Sequence, residues 1–338
     1  MDMIKVTVLT AVYNAENYLQ QCLDSLKNQT LNDCQFICID DCSTDGSAEI
    51  LQRYAAEDSR FQILHTPVNS GQAVARNLGL QFAKGEYVAM LDADDWLAPD
   101  ALMKAYDTIK ETPECDCALF RVIQVRDGSE ADCYNTPNEP VSGQEAFRLS
   151  LDWQIHGVYL IDRRIHQKYP YDTACRLYSD DNTTRIHYLH SRRVAFSDAI
   201  YFYRQHPEST THRFTPMRFL FMDAFSSMKV QILAEANAGN IDCPEEVIGK
   251  FENLRWLNYV SLVRYFIEHR KKMSATERAD IRKRLAEKLR TFEFDRIALR
   301  YRCRPGYVPV KCWKLFYCQQ MIFMKVYPLY SALRRKLS

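Results

Sequence analysis

The chain has 338 residues, of which 47% are hydrophobic and 26% are charged. This composition is that of a folded protein and excludes extended disorder, and the length allows two modest domains. The net charge of +1 is unevenly distributed, because the residues from Arg296 to the C-terminus include ten basic and no acidic side chains, which leaves an acidic body before a basic tail.

Twelve cysteines are present, but none forms a C-x-x-C pair, and the chain is too long for a small disulfide scaffold. We therefore predict reduced, mostly buried thiols in a cytosolic protein. The first residues lead almost directly into a predicted strand, without the pattern of a signal peptide. No stretch approaches the ~20 apolar residues that a transmembrane helix requires.

The first hundred residues alternate predicted strands and helices. Apolar, β-branched runs predict four strands, at residues 4–12, 35–39, 61–65 and 87–91. Helical spacing of apolar residues predicts three helices between them, at residues 15–29, 48–56 and 71–84. Repeated βα units form mostly parallel sheets with right-handed crossovers, and such sheets bind ligands at the carboxyl ends of their strands.

The pattern changes twice after residue 100. A helix at 100–111 and strands at 118–125 and 194–203 predict a mixed continuation of the α/β domain. Beyond it only helices are predicted, at residues 216–236, 245–270 and 276–292. We therefore divide the chain into an α/β domain at residues 1–215 and a helical C-terminal region at residues 216–338.

The strand predicted at 87–91 runs directly into three carboxylates, Asp92, Asp94 and Asp95. Crowded carboxylates repel one another and need a cation, and Mg²⁺ and Mn²⁺ prefer such oxygen ligands together with substrate phosphates. The alternative is an acidic N-cap for the helix that begins after Pro99. The Asp-x-Asp spacing alone does not decide between a metal site and a cap.

Three further polar motifs follow predicted strands. Asp40 and Asp41 come directly after the second strand, where a carboxylate can accept hydrogen bonds from a base or a ribose, with turn and capping chemistry as the alternative. Tyr13 follows the first strand and can stack on a planar base. Gly71 opens the third helix, from which Arg76 can reach a phosphate or a carboxylate. For Tyr13 and Arg76 a purely structural role is the alternative.

Together these motifs resemble those of the family 2 glycosyltransferases, the large inverting group with the GT-A fold. They comprise Ala-Val-Tyr-Asn at 11–14, Asp-Asp-Cys-Ser-Thr-Asp-Gly-Ser at 40–47, Asn-Ser-Gly-Gln-Ala-Val-Ala-Arg-Asn at 69–77 and Asp-Ala-Asp-Asp at 92–95. The resemblance is dense over residues 4–100 and continues more loosely to about residue 213. It implies a Rossmann-like, mostly parallel GT-A catalytic domain, a nucleoside-diphosphate sugar donor, usually UDP-linked, and a Mn²⁺ or Mg²⁺ ion.

The resemblance also implies roles for individual residues. Donor-binding positions fall on Ala11, Tyr13, Asp41, Arg76 and Asp92. Asp94 would coordinate the metal, with Asp92 near both the metal and the ribose. The family often has proline at Ala11 and glycine at Cys42, so a turn that is often open to positive φ must here suit a side chain.

Two later segments complete the predicted site. Asp180 and Asp181 resemble the family's acidic pair, normally Glu-Asp, whose second member is the usual base, so Asp181 is predicted to deprotonate the acceptor hydroxyl. Capping of a helix at 182–189 is the alternative. A Tyr-Arg-x-His segment like the one that closes the family's catalytic domain assigns Arg204 and His206 to the diphosphate or the metal shell.

The segment 301–337 interleaves basic and aromatic side chains. This composition favours peripheral contact with a membrane over nucleic-acid binding, which nothing else in the chain supports. A tail packed on the protein and a dimer contact are the alternatives. Peripheral contact would place the chain in the cytoplasm, on the inner face of the cell membrane.

The predicted function is a metal-dependent inverting hexosyl- or N-acetylhexosaminyl-transferase that moves a sugar to a hydroxyl of a glycan or lipid-linked acceptor in surface polysaccharide synthesis. One alternative is a sugar-nucleotide nucleotidyltransferase, but residues 10–17 lack its glycine-rich basic signature. The other is a catalytically inactive glycan-binding GT-A module, which is expected to lose carboxylates such as Asp94 and Asp181, and both are present.

Overall fold

The computed structural model describes residues 3–134, 137–178, 180–206 and 215–298. The chain divides into two compact units, residues 1–212 and 213–338. The strands of the first unit are β1 (Val6–Val12), β2 (Cys34–Asp40), β3 (Phe61–His65), β4 (Tyr87–Met90), β5 (Trp96–Leu97), β6 (Cys115–Arg126), β7 (Ser129–Asp132), β8 (Val141–Ser142), β9 (Tyr159–Asp162) and β10 (Arg193–Arg204). Its helices are α1 (Glu16–Lys27), α2 (Ser47–Glu57), α3 (Gln72–Leu80), α4 (Ala101–Glu111), α5 (Gly143–Leu151), α6 (Arg163–Lys168) and α7 (Asp180–Leu189).

These strands form one sheet in the order β3-β2-β1-β4-β9-β6-β10-β5, with β7 beside β6 and β8 beside β10. β1 to β4 are parallel to one another, which confirms the predicted βα units. β9, which the sequence did not predict, is antiparallel to both β4 and β6. Because β9 is antiparallel to both of its neighbours, β6 runs in the same direction as β4. β10 is parallel to β6 and therefore also runs in the direction of β1 to β4. The carboxyl ends of β1, β2, β4 and β10 therefore share one edge of the sheet.

Helices cover the sheet with the periodicity that the sequence predicted. In α1 the buried side chains are Leu19, Cys22, Leu23 and Leu26, at the spacing of one helical face. They join the side chains of β1 and β2 in the main hydrophobic core. A second cluster, which includes Leu9, Ile39 and Ala75, packs α3 against the same strands.

The third helix is shorter than predicted, since α3 ends at Leu80 and not at residue 84. The buried side chain of Gln35 explains the difference. Its amide nitrogen donates to the Phe82 carbonyl at 3.1 Å, and its oxygen accepts from the Lys84 N–H at 3.0 Å. A strand residue thus satisfies backbone groups that another helical turn would otherwise use.

The described part of the second unit is helical. A 3₁₀ turn at Pro216–Leu220 precedes α8 (Phe221–Asn237), α9 (Pro244–His269) and α10 (Ala275–Leu289). Its core is built around Trp256, Phe266 and Leu285. None of the helices in the described ranges has the length and apolarity required to cross a bilayer. The basic and aromatic segment 301–337 lies outside the described residues.

Candidate active site

The two aspartates after β2 hold the neighbouring loops. The Asp41 carboxylate is buried and accepts hydrogen bonds from the Thr66 hydroxyl at 2.6 Å, the Ser70 N–H at 2.9 Å and the Gly71 N–H at 2.7 Å. Asp40 accepts from the Ser43 N–H at 3.0 Å. Asp41 therefore shapes the loop that opens α3, in addition to any contact with a nucleoside, which stays a prediction.

Gly71 is required by this loop for two reasons. Its φ of +89° lies in the region that side chains rarely adopt. A Cβ there would stand 2.8 Å from Cγ of Arg176, which belongs to the segment before α7. Glycine at this position therefore lets two site loops approach each other closely.

The turn after β1 leaves Tyr13 half exposed at the strand edge. The next residue, Asn14, accepts a hydrogen bond from the Thr44 N–H at 2.8 Å and so ties this turn to the one after β2. In that second turn Cys42 is exposed and has a φ of +63°. The position where the family often has glycine is thus left-handed here, at a cost of about 1–2 kcal/mol for a residue with a Cβ. Ala11 lies at the end of β1, partly buried.

Arg76 is buried and forms an ion pair with Asp92. It is 1% exposed, and its Nη2 donates to Asp92 Oδ1. The Gln72 amide donates to the same oxygen at 2.9 Å. The guanidinium carbon lies 5.4 Å from the centre of the Tyr171 ring. Since the Arg76 side chain is enclosed and paired, it orients the Asp92 carboxylate.

Asp95 fastens β10 to the end of β4. Its carboxylate accepts from the Tyr201 hydroxyl at 2.7 Å and from the Arg204 N–H at 2.8 Å. Burial raises the pKa of Asp95 well above its usual value, and the nearby charges of Asp92 and Asp94 raise it further. Helix α4 has Asp100 at its N-cap, so the alternative that residues 92–95 cap this helix is wrong.

We expect Tyr201→Phe to lower the free energy of unfolding by about 1–3 kcal/mol. The hydroxyl donates to Asp95 and accepts from the Asp92 N–H at 3.2 Å, so its loss leaves two buried polar groups short of a partner. Urea denaturation measures the change. Tyr203→Phe is the matched control on the same strand, and an equal loss in both variants would contradict the assignment.

Asp94, after β4, and His206, after β10, lie within hydrogen-bond distance of each other. Asp94 Oδ2 lies 3.0 Å from His206 Nε2, and the imidazole ring centre is 4.5 Å from that of Tyr18. Nδ1 of His206 is buried and has no hydrogen-bond partner among the described residues. Within the described ranges, no three or more His, Cys, Asp or Glu side chains are grouped to hold a metal. A carboxylate oxygen and an imidazole nitrogen are both atoms that a divalent cation can bind, together with phosphates and water.

Arg204 is held beside this pair. Its Nε donates to the Asp94 carbonyl at 2.8 Å, and its Nη2 donates to Gln21 Oε1 at 2.5 Å. The guanidinium lies between two rings, 4.6 Å from the centre of Trp96 and 5.3 Å from that of Tyr18. These contacts fix a cation next to the carboxylates.

The N-terminus of α7 supplies the acidic pair. Asp180 and Asp181 lie in the first turn of α7, so neither is the N-cap of a helix that begins at 182. The charge of Asp180 acts on both Arg76 and Asp92, so the N-terminus of α7 lies near the end of β4. Burial raises the pKa of Asp181 to about 7, with a further contribution from Asp180 and an opposing one from Arg185.

Residues 7–175, half of the chain, match the sequence profile named Glycosyl transferase family 2. The chain belongs to glycosyl transferase family 2. The match includes the carboxylates after β2 and β4 and ends before Asp181, Arg204 and His206. The architecture is the GT-A fold that the motifs implied.

Relatives and solved structures agree with this family. The chain is 43% identical over 100 residues to the putative glycosyltransferase EpsH of Bacillus subtilis. This alignment covers 30% of this chain and 29% of the relative. It is 28% identical over 246 residues to a poly(ribitol-phosphate) beta-glucosyltransferase of Bacillus spizizenii. That alignment covers 69% of this chain and 38% of the relative. The chain therefore spans well under two thirds of both relatives.

The crystal structure of residues 1–349 of S. aureus TarS in complex with UDP-GlcNAc aligns with a TM-score of 0.68 and 20% identity. The alignment covers 86% of this chain and 82% of that one. At this identity the likeness concerns the fold alone.

Sequence patterns did not single out Gln72, Tyr18, Gln21 or Tyr201 as parts of the site. Gln72 lies inside a quoted motif, four residues before Arg76, and helical spacing would have placed the two on one face. Tyr201 meets residues 92–95 only because β5 pairs with β10, where Trp96 lies opposite Phe202. No local pattern indicates that pairing.

Proposed function

We propose that the chain is a metal-dependent inverting glycosyltransferase that uses a nucleoside-diphosphate sugar, with UDP as the expected nucleotide. Residues 1–215 would carry the catalysis. The observation that carries this proposal is the convergence, at one sheet edge, of the Asp94–His206 pair, the Arg76–Asp92 pair and the α7 carboxylates. These are the groups that a displacement from a diphosphate requires.

The donor would lie across the carboxyl ends of β1, β2 and β4. Tyr13, exposed at the end of β1, would stack on the base, and Ala11 would line the same turn. Oδ2 of Asp41 accepts a hydrogen bond from the Gly71 N–H and can accept a second one from a base or a ribose hydroxyl. Asp92, oriented by Arg76, would face the ribose and the metal.

In the reaction, Asp181 would take the proton of the acceptor hydroxyl while that oxygen bonds to the anomeric carbon from the side opposite the diphosphate. The bond between the anomeric carbon and the diphosphate oxygen breaks, and the diphosphate leaves with the electron pair. Arg204 would stabilise the charge that develops there. Displacement from the opposite side inverts the anomeric configuration.

Asp94 and His206, assisted by Asp92, would hold Mn²⁺ or Mg²⁺. Such an ion supplies Lewis-acid stabilisation of the departing diphosphate. The imidazole nitrogen at His206 favours Mn²⁺ over Mg²⁺, because Mg²⁺ selects oxygen ligands more strictly.

A donor screen tests the proposal. The chain is incubated with UDP-, GDP- and dTDP-sugars and Mn²⁺, and the release of nucleoside diphosphate is measured. We expect release from one nucleotide class, lost in Asp94→Ala. In a parallel reaction with added pyrophosphate, formation of nucleoside triphosphate and sugar 1-phosphate would indicate a nucleotidyltransferase. No release from any donor, with Asp94→Ala behaving identically, would favour an inactive glycan-binding module.

The acceptor is proposed to be a glycan or lipid-linked glycan of a surface polysaccharide, brought close by a peripheral membrane contact of residues 301–338. Ten basic residues without an acidic one, from Arg296 on, are attracted to anionic lipid at about 1 kcal/mol each near the surface.

Deletion of residues 301–338 is therefore expected to move the protein from vesicles containing phosphatidylserine to the supernatant in a sedimentation assay. Because the attraction is electrostatic, the full chain should also detach at high salt. Neutral vesicles are the control. An unchanged partition after the deletion would contradict the membrane contact.

A further inference from the structure

Arg185 is a buried cation on α7, near the proposed base. It lies one helical turn after Asp181 on α7 and is 2% exposed. Its Nε is buried without a hydrogen-bond partner, and no other described residue forms a hydrogen bond or ion pair with its guanidinium. The charges of Asp181 and Asp180 offset part of the cost of burying this guanidinium. A direct hydrogen-bond partner from outside the chain would stabilise it further.

Trp153 connects this cation to the surface. The guanidinium carbon of Arg185 lies 5.4 Å from the centre of the Trp153 ring, and Trp153 itself is 41% exposed. Trp153 directly follows the C-cap residue of α5 and has a φ of +60°, at a position where glycine is usual. A bulky side chain in the left-handed region is strained, and such strain concentrates at functional sites.

The segment that carries Trp153 is fixed against α7. A Cβ at Gly157 would stand 2.7 Å from Thr184 Oγ1, so the backbone there touches the helix directly. The Tyr188 hydroxyl donates to the His156 carbonyl and adds a second attachment. The backbone just after Trp153 is therefore anchored to α7, which limits the ordering that a ligand must impose on this segment.

We propose that Trp153 and Arg185 form an acceptor subsite for a sugar unit that carries an anionic group, a carboxylate or a phosphate. This rests on the proposed function, because the acceptor is located by Asp181 acting as the base. The exposed indole face packs on the apolar face of a sugar ring. The guanidinium offers paired N–H donors that match either anion.

The spacing along α7 suits this arrangement. One helical turn, about 5.4 Å, separates Arg185 from Asp181. The anionic group and the reacting hydroxyl would then belong to the same or to neighbouring units of the acceptor. The enzyme would thereby prefer acidic glycans, because a neutral acceptor offers the buried guanidinium no charge-assisted hydrogen bond.

Equilibrium binding to the full chain tests the preference. The probes are methyl glucuronide, glucose 6-phosphate and neutral methyl glucoside, each titrated by calorimetry with UDP and Mn²⁺ present. We expect at least one anionic probe to bind about tenfold more tightly than methyl glucoside or better. The tighter anionic probe identifies the carboxylate or the phosphate as the preferred group. Equal binding of all three, or no binding of either anionic probe, overturns the proposal.

Variants assign the preference to these residues. In Arg185→Gln the anionic preference should fall below about twofold, and in Trp153→Ala all three probes should weaken alike. Arg193→Gln, which removes an exposed cation at the start of β10, is the matched control and should keep the preference. If Arg185→Gln does not fold, Arg185→Lys is the substitute, because it keeps the charge without the paired N–H donors of a guanidinium. The anionic preference should then fall to a value between those of the unchanged protein and about twofold. A full preference in a folded Arg185→Gln overturns the assignment.

The experiment separates the two proposals. If UDP binds with Mn²⁺ and the anionic preference is missing, the subsite is wrong and the donor site stands. If UDP does not bind with either Mn²⁺ or Mg²⁺, the proposed function fails. The preference measured without UDP still tests the subsite in that case.

Discussion

Asp94→Asn is expected to lower the rate of sugar transfer by about 100-fold or more, because loss of metal-based charge stabilisation removes several kcal/mol from the transition state. Asp94 Oδ2 is the carboxylate oxygen that faces His206 Nε2 at 3.0 Å. The amide keeps the shape of the side chain and loses the charge that a divalent cation requires. The measurement is initial rate against Mn²⁺ concentration, and we expect the apparent metal affinity to fall with the rate.

Asp198→Asn is the control for this variant, since it removes the same charge from an exposed position on β10. Chelation with EDTA should reproduce the loss in the unchanged protein, and added Mn²⁺ should restore activity there but not in Asp94→Asn at the same concentration. If Asp94→Asn retained full activity at low Mn²⁺, the assignment of Asp94 as a metal ligand would be wrong.

Asp181→Asn is expected to lower kcat by about 10²–10⁴-fold, the usual contribution of a general base. Donor binding should change far less, because Asp181 is proposed to meet the acceptor and not the nucleotide. Binding of UDP, measured separately, therefore provides an internal reference. Asp107→Asn, on the exposed face of α4, is the control for loss of one carboxylate. A kcat within twofold of the unchanged protein would remove Asp181 from the mechanism.

The pH profile gives an independent check on the same residue. A base must be ionised to accept a proton, so activity should rise with pH as Asp181 loses its own proton. Burial raises the pKa of Asp181 to about 7, so the rise should be centred there and not near the usual value of about 3.9 for aspartate. The profile of kcat/KM should therefore fall below neutrality, and this step should disappear from the residual activity of Asp181→Asn.

Much of the fold was predictable because hydrophobic periodicity is local. The apolar spacing of Leu19, Leu23 and Leu26 is already that of one helical face, and α1 forms at that place. The four β-branched runs of the first hundred residues became β1 to β4. The short strand β9 was missed because its four residues carry no alternation, and pairing on both sides makes it a strand.

The sequence by itself determined the βα order, the family and the candidate carboxylates, because strand ends and motif spacing are properties of contiguous residues. Only the tertiary structure decided which of these side chains are buried and with which groups they pair. Arg76 is buried and paired with Asp92, and the buried carboxylate of Asp95 accepts a hydrogen bond from the backbone of β10. The contact between Arg185 and Trp153 forms only because α5 and α7 pack together. Burial and pairing depend on residues far apart in the chain, so no local pattern contains them.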